Sequence, residues 1–149
     1  MSFLLNGCAE IPATDRAPAL RQMRVRTTAY THTEPGGSKS AIGTRLRFDS
    51  ATTSAAADWS WMPVGTRFRI LPDGREYVIE DYGSGLIGKK TIDLYMPDQS
   101  SMRQWGVRTV EIEIIEWGSR AVSKMLLAKA GSSSKVQRML ASLDDKHEP

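Results

Sequence analysis

Short stretches in which apolar and polar residues alternate, each closed by a turn signal, constrain this chain more than any other feature. In Val107–Trp117, Val110, Ile112 and Ile114 fall on one side, and Glu111, Glu113 and Ile115 on the other. A strand with one buried face needs that period of two, because successive side chains point to opposite sides. Met23, Val25, Thr27 and Ala29 alternate in the same way with Arg24, Arg26, Thr28 and Tyr30. Arg45–Phe48, Arg67–Leu71, Glu76–Asp81 and Thr91–Tyr95 are shorter strand candidates, and Ser50–Ala57 is small and polar enough for tight packing or a crossing segment. Pro35-Gly36-Gly37, Met62-Pro63-Val64-Gly65-Thr66, Pro72-Asp73-Gly74 and Tyr82–Gly88 supply the turns. Asp98–Trp105 has the composition of a short helix, with Asp98 or Pro97 near its start. Six or so short strands with one small helix describe an all-β barrel.

With 149 residues the chain fits one domain. A domain of that size buries roughly two-thirds of its surface, so its core needs no staples. The alternation places the barrel at residues 23–118, between an N-terminal segment, 1–22, and a C-terminal tail, 119–149. In the tail, Val136, Met139, Leu140 and Leu143 recur at helical spacing, with Ser133 or Ser134 placed to cap. The tail therefore carries a helix that packs on the barrel or meets a partner. Ala9–Leu20 is rich in Ala and Pro and reads as a linker. Leu5-Asn6-Gly7-Cys8 has the form of a bacterial lipobox, which would place the protein outside the cytoplasm with a lipid on Cys8. Asn6 is uncommon in that motif and the charged start of a signal peptide is missing, so chance is the competing reading.

Several function classes are set aside by composition. Cys8 is the single cysteine, and His32 and His147 lie far apart, so no metal site or cofactor is expected. The formal charge of +3 is spread along the chain, unlike the concentrated basic face of a nucleic-acid binder. Arg24 and Arg26, Arg45 and Arg47, and Arg67 and Arg69 recur two apart, as on the solvated face of a sheet. A weak preference for an anionic polymer is the sharper reading of the same pattern. No apolar run reaches membrane-spanning length.

Three aspartates stand apart from the solvated acidic residues. Asp58 follows a run of alanines, Asp81 ends an apolar strand and opens a glycine loop, and Asp93 lies between Ile92 and Leu94. Aspartate is depleted in strands and costly to bury, so each needs a partner, exposure or a chemical role. Asp81 and Asp93 bracket a loop holding Gly83, Gly85 and Gly88, which allows the two strand ends to lie side by side. Like charge and apolar surroundings both raise a carboxyl pKa towards that of a general acid, and glycoside cleavage suits such a pair. The loop lacks the Gly-Lys-Ser/Thr ending of a phosphate loop. Of Trp59, Trp61, Trp105 and Trp117, Trp59 or Trp61 is the better candidate for a sugar-stacking groove wall.

The motifs Thr28-Ala29-Tyr30-Thr31, Ala56-Ala57-Asp58, Pro63-Val64-Gly65-Thr66, Glu80-Asp81-Tyr82-Gly83, Gly88, Ile92-Asp93-Leu94-Tyr95 and Trp105–Val110 follow one another in order. The series, spanning roughly Val25 to Trp117, resembles the three-aspartate (3D) domain family. That family's double-psi β-barrel is similar to the catalytic barrel of membrane-bound lytic transglycosylase A and of stationary-phase survival proteins. The resemblance implies a six-stranded double-psi barrel with the family's aspartates at Asp58, Asp81 and Asp93. It departs at Ser84, where the family has a second glycine, at Trp59, where a proline is usual, and at Lys89 and Lys90, displaced beyond Gly88.

What the resemblance implies chemically is a lytic transglycosylase acting on the peptidoglycan glycan strand, with Asp93 as acid and base and Asp81 in support. Asp58 would brace the site, and Thr28, Tyr30, Gly83 and Lys89 would line or approach the groove. Two other readings stand beside it: an expansin-like module that binds wall glycan without cutting it, and an envelope assembly protein that meets a partner through its C-terminal helix.

Overall fold

A computed structural model describes residues 21–33, 38–48 and 51–145. The Cys8 lipobox, the Ala9–Leu20 linker, the Pro35-Gly36-Gly37 turn and His147 lie outside the described residues. The first strand, β1 (Arg21–Tyr30), holds two partners at once. Along Arg21–Thr27 it runs antiparallel to β6 (Arg108–Glu116), and from Arg26 to Tyr30 it runs parallel to β5 (Thr91–Tyr95). Strand β2 (Thr53–Ala56) pairs antiparallel with β5 and parallel with β4 (Glu76–Asp81). Strand β3 (Arg67–Ile70) closes the ring between β4 and β6, giving a closed barrel in the order β1-β5-β2-β4-β3-β6. Closure leaves no sheet edge for another chain to pair with. The six-stranded barrel is the one expected, with strand boundaries within a residue or two of those read from the alternation.

Two local expectations are corrected. Arg45–Phe48 forms no strand: Arg45 makes a single antiparallel bridge to Lys39, and the next backbone groups pair with Ser38 and Ser54. The segment is the returning limb of a loop, so its polar groups find local partners instead of a ladder. Ser50–Ala57 contains a strand, β2, every residue of which is buried. Small side chains there let β4 and β5 close on both sides of it.

Inward positions alternate as one buried face demands. Val25, Phe68, Ile70, Tyr77, Ile79, Ile92, Leu94, Val110, Ile112 and Ile114 form the core, with Trp59 and Met62 beneath the β2–β3 connection. Outside, several of the spaced arginines are matched across strands. Arg69 bridges Glu76 and Glu113, Arg67 also reaches Glu76, and Arg24 meets Glu111. Arg69, through its hydrogen bond first, holds the Glu76 carboxyl below the usual carboxylate range. These are exposed pairs, each worth at most about 1 kcal/mol.

Helix α1 (Gln99–Trp105) is capped by Asp98, whose carboxylate accepts from the Ser101 N–H, and it ends at Gly106 with φ +63°. The tail departs from the single expected helix. Two form, α2 (Arg120–Lys129) and α3 (Ser134–Asp145), packed as a hairpin. Helix α2 escaped the periodicity because its buried residues are Ser123 and Leu127, one of them polar, while Val122 and Met125 face solvent. Leu127, Val136, Met139 and Leu143 belong to the barrel's own core cluster. Ser123 accepts the Val64 N–H, and Arg120 donates to the carbonyls of Ser60 and Leu143. None of the described helices is long and apolar enough to cross a membrane.

The barrel meets the hairpin at a crossing of two backbones. Gly118 donates its N–H to the Thr66 hydroxyl, and its Cα lies 3.8 Å from where a Cβ on Gly65 would sit. A Cβ on Gly118 itself would come within 3.0 Å of backbone atoms of Pro63, Val64 and Thr66. Gly118→Ala is therefore expected to destabilise by about 3 kcal/mol, the upper end for overpacking. Urea unfolding of the two proteins measures the difference, and an unchanged midpoint would contradict the crossing.

Candidate glycan groove

The site is built on one row of the barrel. Thr28 on β1 pairs with Asp93 on β5, Asp93 pairs with Ala56 on β2, and Ala56 pairs with Asp81 on β4. Lateral partners share a face, so Thr28, Asp93, Ala56 and Asp81 all open into the same cavity of about 690 Å³. The aspartates do not adjoin one another, as the glycine loop alone suggested; β2 runs between them. Two strand spacings put their Cα atoms about 10 Å apart. Ala56 fills that gap with a single methyl.

Asp81 reaches this row through an irregularity. In β4, Tyr77 and Ile79 point into the core, and strict alternation would send Asp81 in with them. The pairing instead shifts between Ala55 and Ala56, from Ala55↔Ile79 to Ala56↔Asp81, leaving Glu80 as the extra residue. A bulge re-aims the side chain that follows it. Glu80 is itself buried, where it accepts from the Ser54 hydroxyl and pairs with Arg47 at 3.0 Å. That pair and the Ala41 N–H bond to Asp81 tie the 38–48 loop across the barrel end. The loop brings Lys39, Ser40, Ala41 and Leu46 to the groove.

The two carboxylates are held differently. Asp81 Oδ1 accepts the N–H groups of Ala41 (3.0 Å) and Tyr82 (2.9 Å). Burial nevertheless raises its pKa above the ordinary carboxylate value, against the pull of those two N–H groups and of Lys135. The like charge acting on it is Glu80, its bulge neighbour. Asp93 Oδ1 accepts the Thr28 hydroxyl at 2.7 Å. Tyr30 packs edge-on against Tyr95, with its hydroxyl shielded from solvent and without a hydrogen-bond partner among the described residues. Burial first, then the charges of Asp81 and Asp93, push that hydroxyl's pKa far upward, so it stays a donor.

The remaining residues singled out from sequence fall in distinct places. Asp58 is buried beneath the glycine loop: Oδ1 accepts from Ser60 N–H, and Oδ2 from Gly88 N–H at 2.7 Å. That clamp fixes the far end of the loop, where Gly88 takes φ +79°. Gly83 and Gly85 line the groove, and the space beside Gly85 is open. Lys89 is exposed and does not line the cavity; the cations that do are Arg26, Lys39 and Lys135. Trp59 is no groove wall. It is 1% exposed, packs edge-on against Tyr82, and donates its indole N–H to the Asp81 carbonyl. A large ring with one polar atom settles where both can be satisfied. Trp61 packs on the core and also lies off the lining. Sequence reasoning missed Ala56, Glu80 and Lys135; only the alanine run offered a signal, as a place where strands approach closely.

Two outcomes follow from these environments. Asp81 binds a proton more tightly folded than unfolded, so stability falls as pH rises from the unfolded carboxylate value through the raised folded one. Asp81→Asn keeps an oxygen for the Ala41 and Tyr82 N–H groups and removes that loss. It should unfold at higher urea than wild type near neutrality, with the gain vanishing below the unfolded carboxylate range; a gain independent of pH would contradict the burial of Asp81. Tyr30→Phe removes a buried hydroxyl that bonds to nothing described, so stability should hold or rise. Thermal melts of the two proteins test this, and a clear loss of stability in Tyr30→Phe would contradict it.

The barrel region of this chain is similar to known proteins. The 3D domain family matches residues 53–116. YabE of Bacillus subtilis (strain 168), named for cell wall shaping, is 36% identical over 95 residues, which are 62% of this chain and 23% of that protein. The cell wall-binding protein YocH of Bacillus subtilis (strain 168) is 30% identical over 103 residues, 68% of this chain and 35% of that one. The chain thus spans only 23% and 35% of the length of these relatives. A Clavibacter michiganensis expansin in complex with cellohexaose superposes with a TM-score of 0.44 at 14% identity, covering 64% of this chain and 51% of that one. Residues 53–116, which match the 3D domain family, supply five of the six strands of the closed barrel and contain Asp58, Asp81 and Asp93.

Proposed function

We propose that this protein acts on bacterial cell-wall glycan outside the cytoplasm, as a lytic transglycosylase cutting between N-acetylmuramic acid and N-acetylglucosamine. The observation that carries the reading is the row Thr28–Asp93–Ala56–Asp81 on the floor of an open groove. A polymer needs an open cleft, and an acid catalyst needs a positioned carboxyl at its floor. The similarity to YabE and YocH supports the cell-wall setting.

In this mechanism Asp93, in its acid form, gives its proton to the glycosidic oxygen as the C1–O bond breaks. The muramic acid's own 6-hydroxyl closes on C1, and its proton returns to Asp93. The product is a 1,6-anhydro end, and Asp93 leaves the cycle as it entered. Asp81 stabilises positive charge at C1 from the far side of Ala56. Thr28 orients Asp93, and Tyr30 forms part of the groove wall beside them. No water takes part, so the carboxylates need not be spaced for one.

The expansin-like reading shares the groove and differs only in outcome, glycan bound and left intact. Asp93→Asn keeps the oxygen that accepts from Thr28 and removes the proton. It should therefore fold normally and lose about 10²–10⁴-fold in rate. Digestion of purified peptidoglycan with product masses decides the matter. Anhydro-muropeptides released at the wild-type rate by Asp93→Asn would overturn the assignment, and a wild-type protein that binds and releases nothing would establish the binding module.

A further inference from the structure

The groove is not made by the barrel alone. Lys135, the second residue of α3, lines it, although it lies beyond the 53–116 stretch that matches the 3D family. Its position is fixed from below. Val136, the next residue, is 1% exposed in the shared core, and Met139 and Leu143 follow on the same face. Arg138 on α3 lies against the glycine loop, its guanidinium 3.3 Å from where a Cβ on Gly88 would be. The Lys135 ammonium stands 5.7 Å from the centre of the Tyr82 ring and acts electrostatically on Asp81.

Two further cations share the cavity. Lys39 comes from the 38–48 loop and Arg26 from β1. Arg24, Arg47, Arg67 and Arg69 all meet carboxylates elsewhere on the barrel, whereas Arg26, Lys39 and Lys135 form no ion pair among the described residues. Arg26 makes one long bond, 3.5 Å, to the Thr91 hydroxyl, also on the lining. Three cations without ion partners around two aspartates leave the groove with positive charge to spare. A neutral sugar polymer makes no use of that charge, and an acidic one does.

We propose that α3 completes the groove and that Lys135, with Lys39 and Arg26, receives a carboxylate carried by the glycan. This rests on the wall-glycan reading above and adds to it that the ligand is selected for its acidic groups. The C-terminal hairpin is thereby part of the binding surface, with Lys135 a specificity-determining residue.

The experiment measures binding of the full chain to insoluble peptidoglycan and to the same material with its carboxyl groups amidated. Wild type is expected to bind the native glycan about fivefold more tightly than the amidated one, the upper end for a partly exposed ion pair. Lys135→Gln should lose that advantage, binding both materials alike. Lys135→Arg should keep it, and Lys129→Gln, an equal charge change on α2 away from the groove, should match wild type. Raised salt should narrow the wild-type preference. Urea midpoints of all variants show that each is folded. Lys135→Gln with the full wild-type preference overturns the proposal while leaving the wall-glycan reading intact. An equal loss on both materials also overturns it, since Lys135 would then act on the fold. A wild type that binds neither material overturns the wall-glycan reading, and this inference with it.

Discussion

The extra residue in β4 opposite Ala55 and Ala56 decides which way Asp81 points, and the site depends on that direction. Were the ladder regular, Asp81 would follow Tyr77 and Ile79 into an apolar core, where a carboxylate without close partners is expensive. The bulge moves it to the face of Ala56 and Asp93, and the Ala41 and Tyr82 N–H groups make the position tolerable. Glu80, displaced by the same bulge, is not wasted. Through Arg47 it anchors the loop whose Ala41 N–H reaches Asp81, so the irregularity and its compensation are one local network.

A second support lies under the glycine loop. Asp58 spends both carboxylate oxygens on backbone N–H groups, those of Ser60 and Gly88. Trp59 beside it donates to the Asp81 carbonyl, and Tyr82 packs on the Trp59 ring. The 58–62 turn therefore holds both ends of the segment that carries Asp81 and the loop, while touching no part of the cavity. Of the three aspartates, Asp58 fixes geometry, and Asp81 and Asp93 face the groove.

Strand positions, the cap at Asp98 and the α3 stripe were legible because each depends on local periodicity or a local hydrogen bond. The aspartates stood out because carboxylates in apolar strands need a reason. What stayed hidden came from pairings distant in sequence. That β2 separates Asp81 from Asp93 follows from barrel order, which the spacing of the two residues does not encode. Lys135 sits after Gly131 and three serines, a context that gives no hint of a groove more than forty residues upstream. Trp59 misled because an aromatic residue next to an aspartate looks alike in sequence whether it stacks on sugar or fills the core.

The crossing of Gly65 and Gly118, with Val136, Met139 and Leu143 inside the common core, has a consequence for how the molecule opens. A helical tail attached only by contacts at its surface would fray separately, its amides exchanging with solvent long before those of the barrel. Here α3 shares its apolar face with the strands, and the chain leaves β6 through a gap too narrow for a methyl group. The hairpin and the barrel thus form a single cooperative unit. The amides of Met139 and Leu143 in α3 should accordingly exchange together with that of Ile112 in β6, through opening of the whole unit.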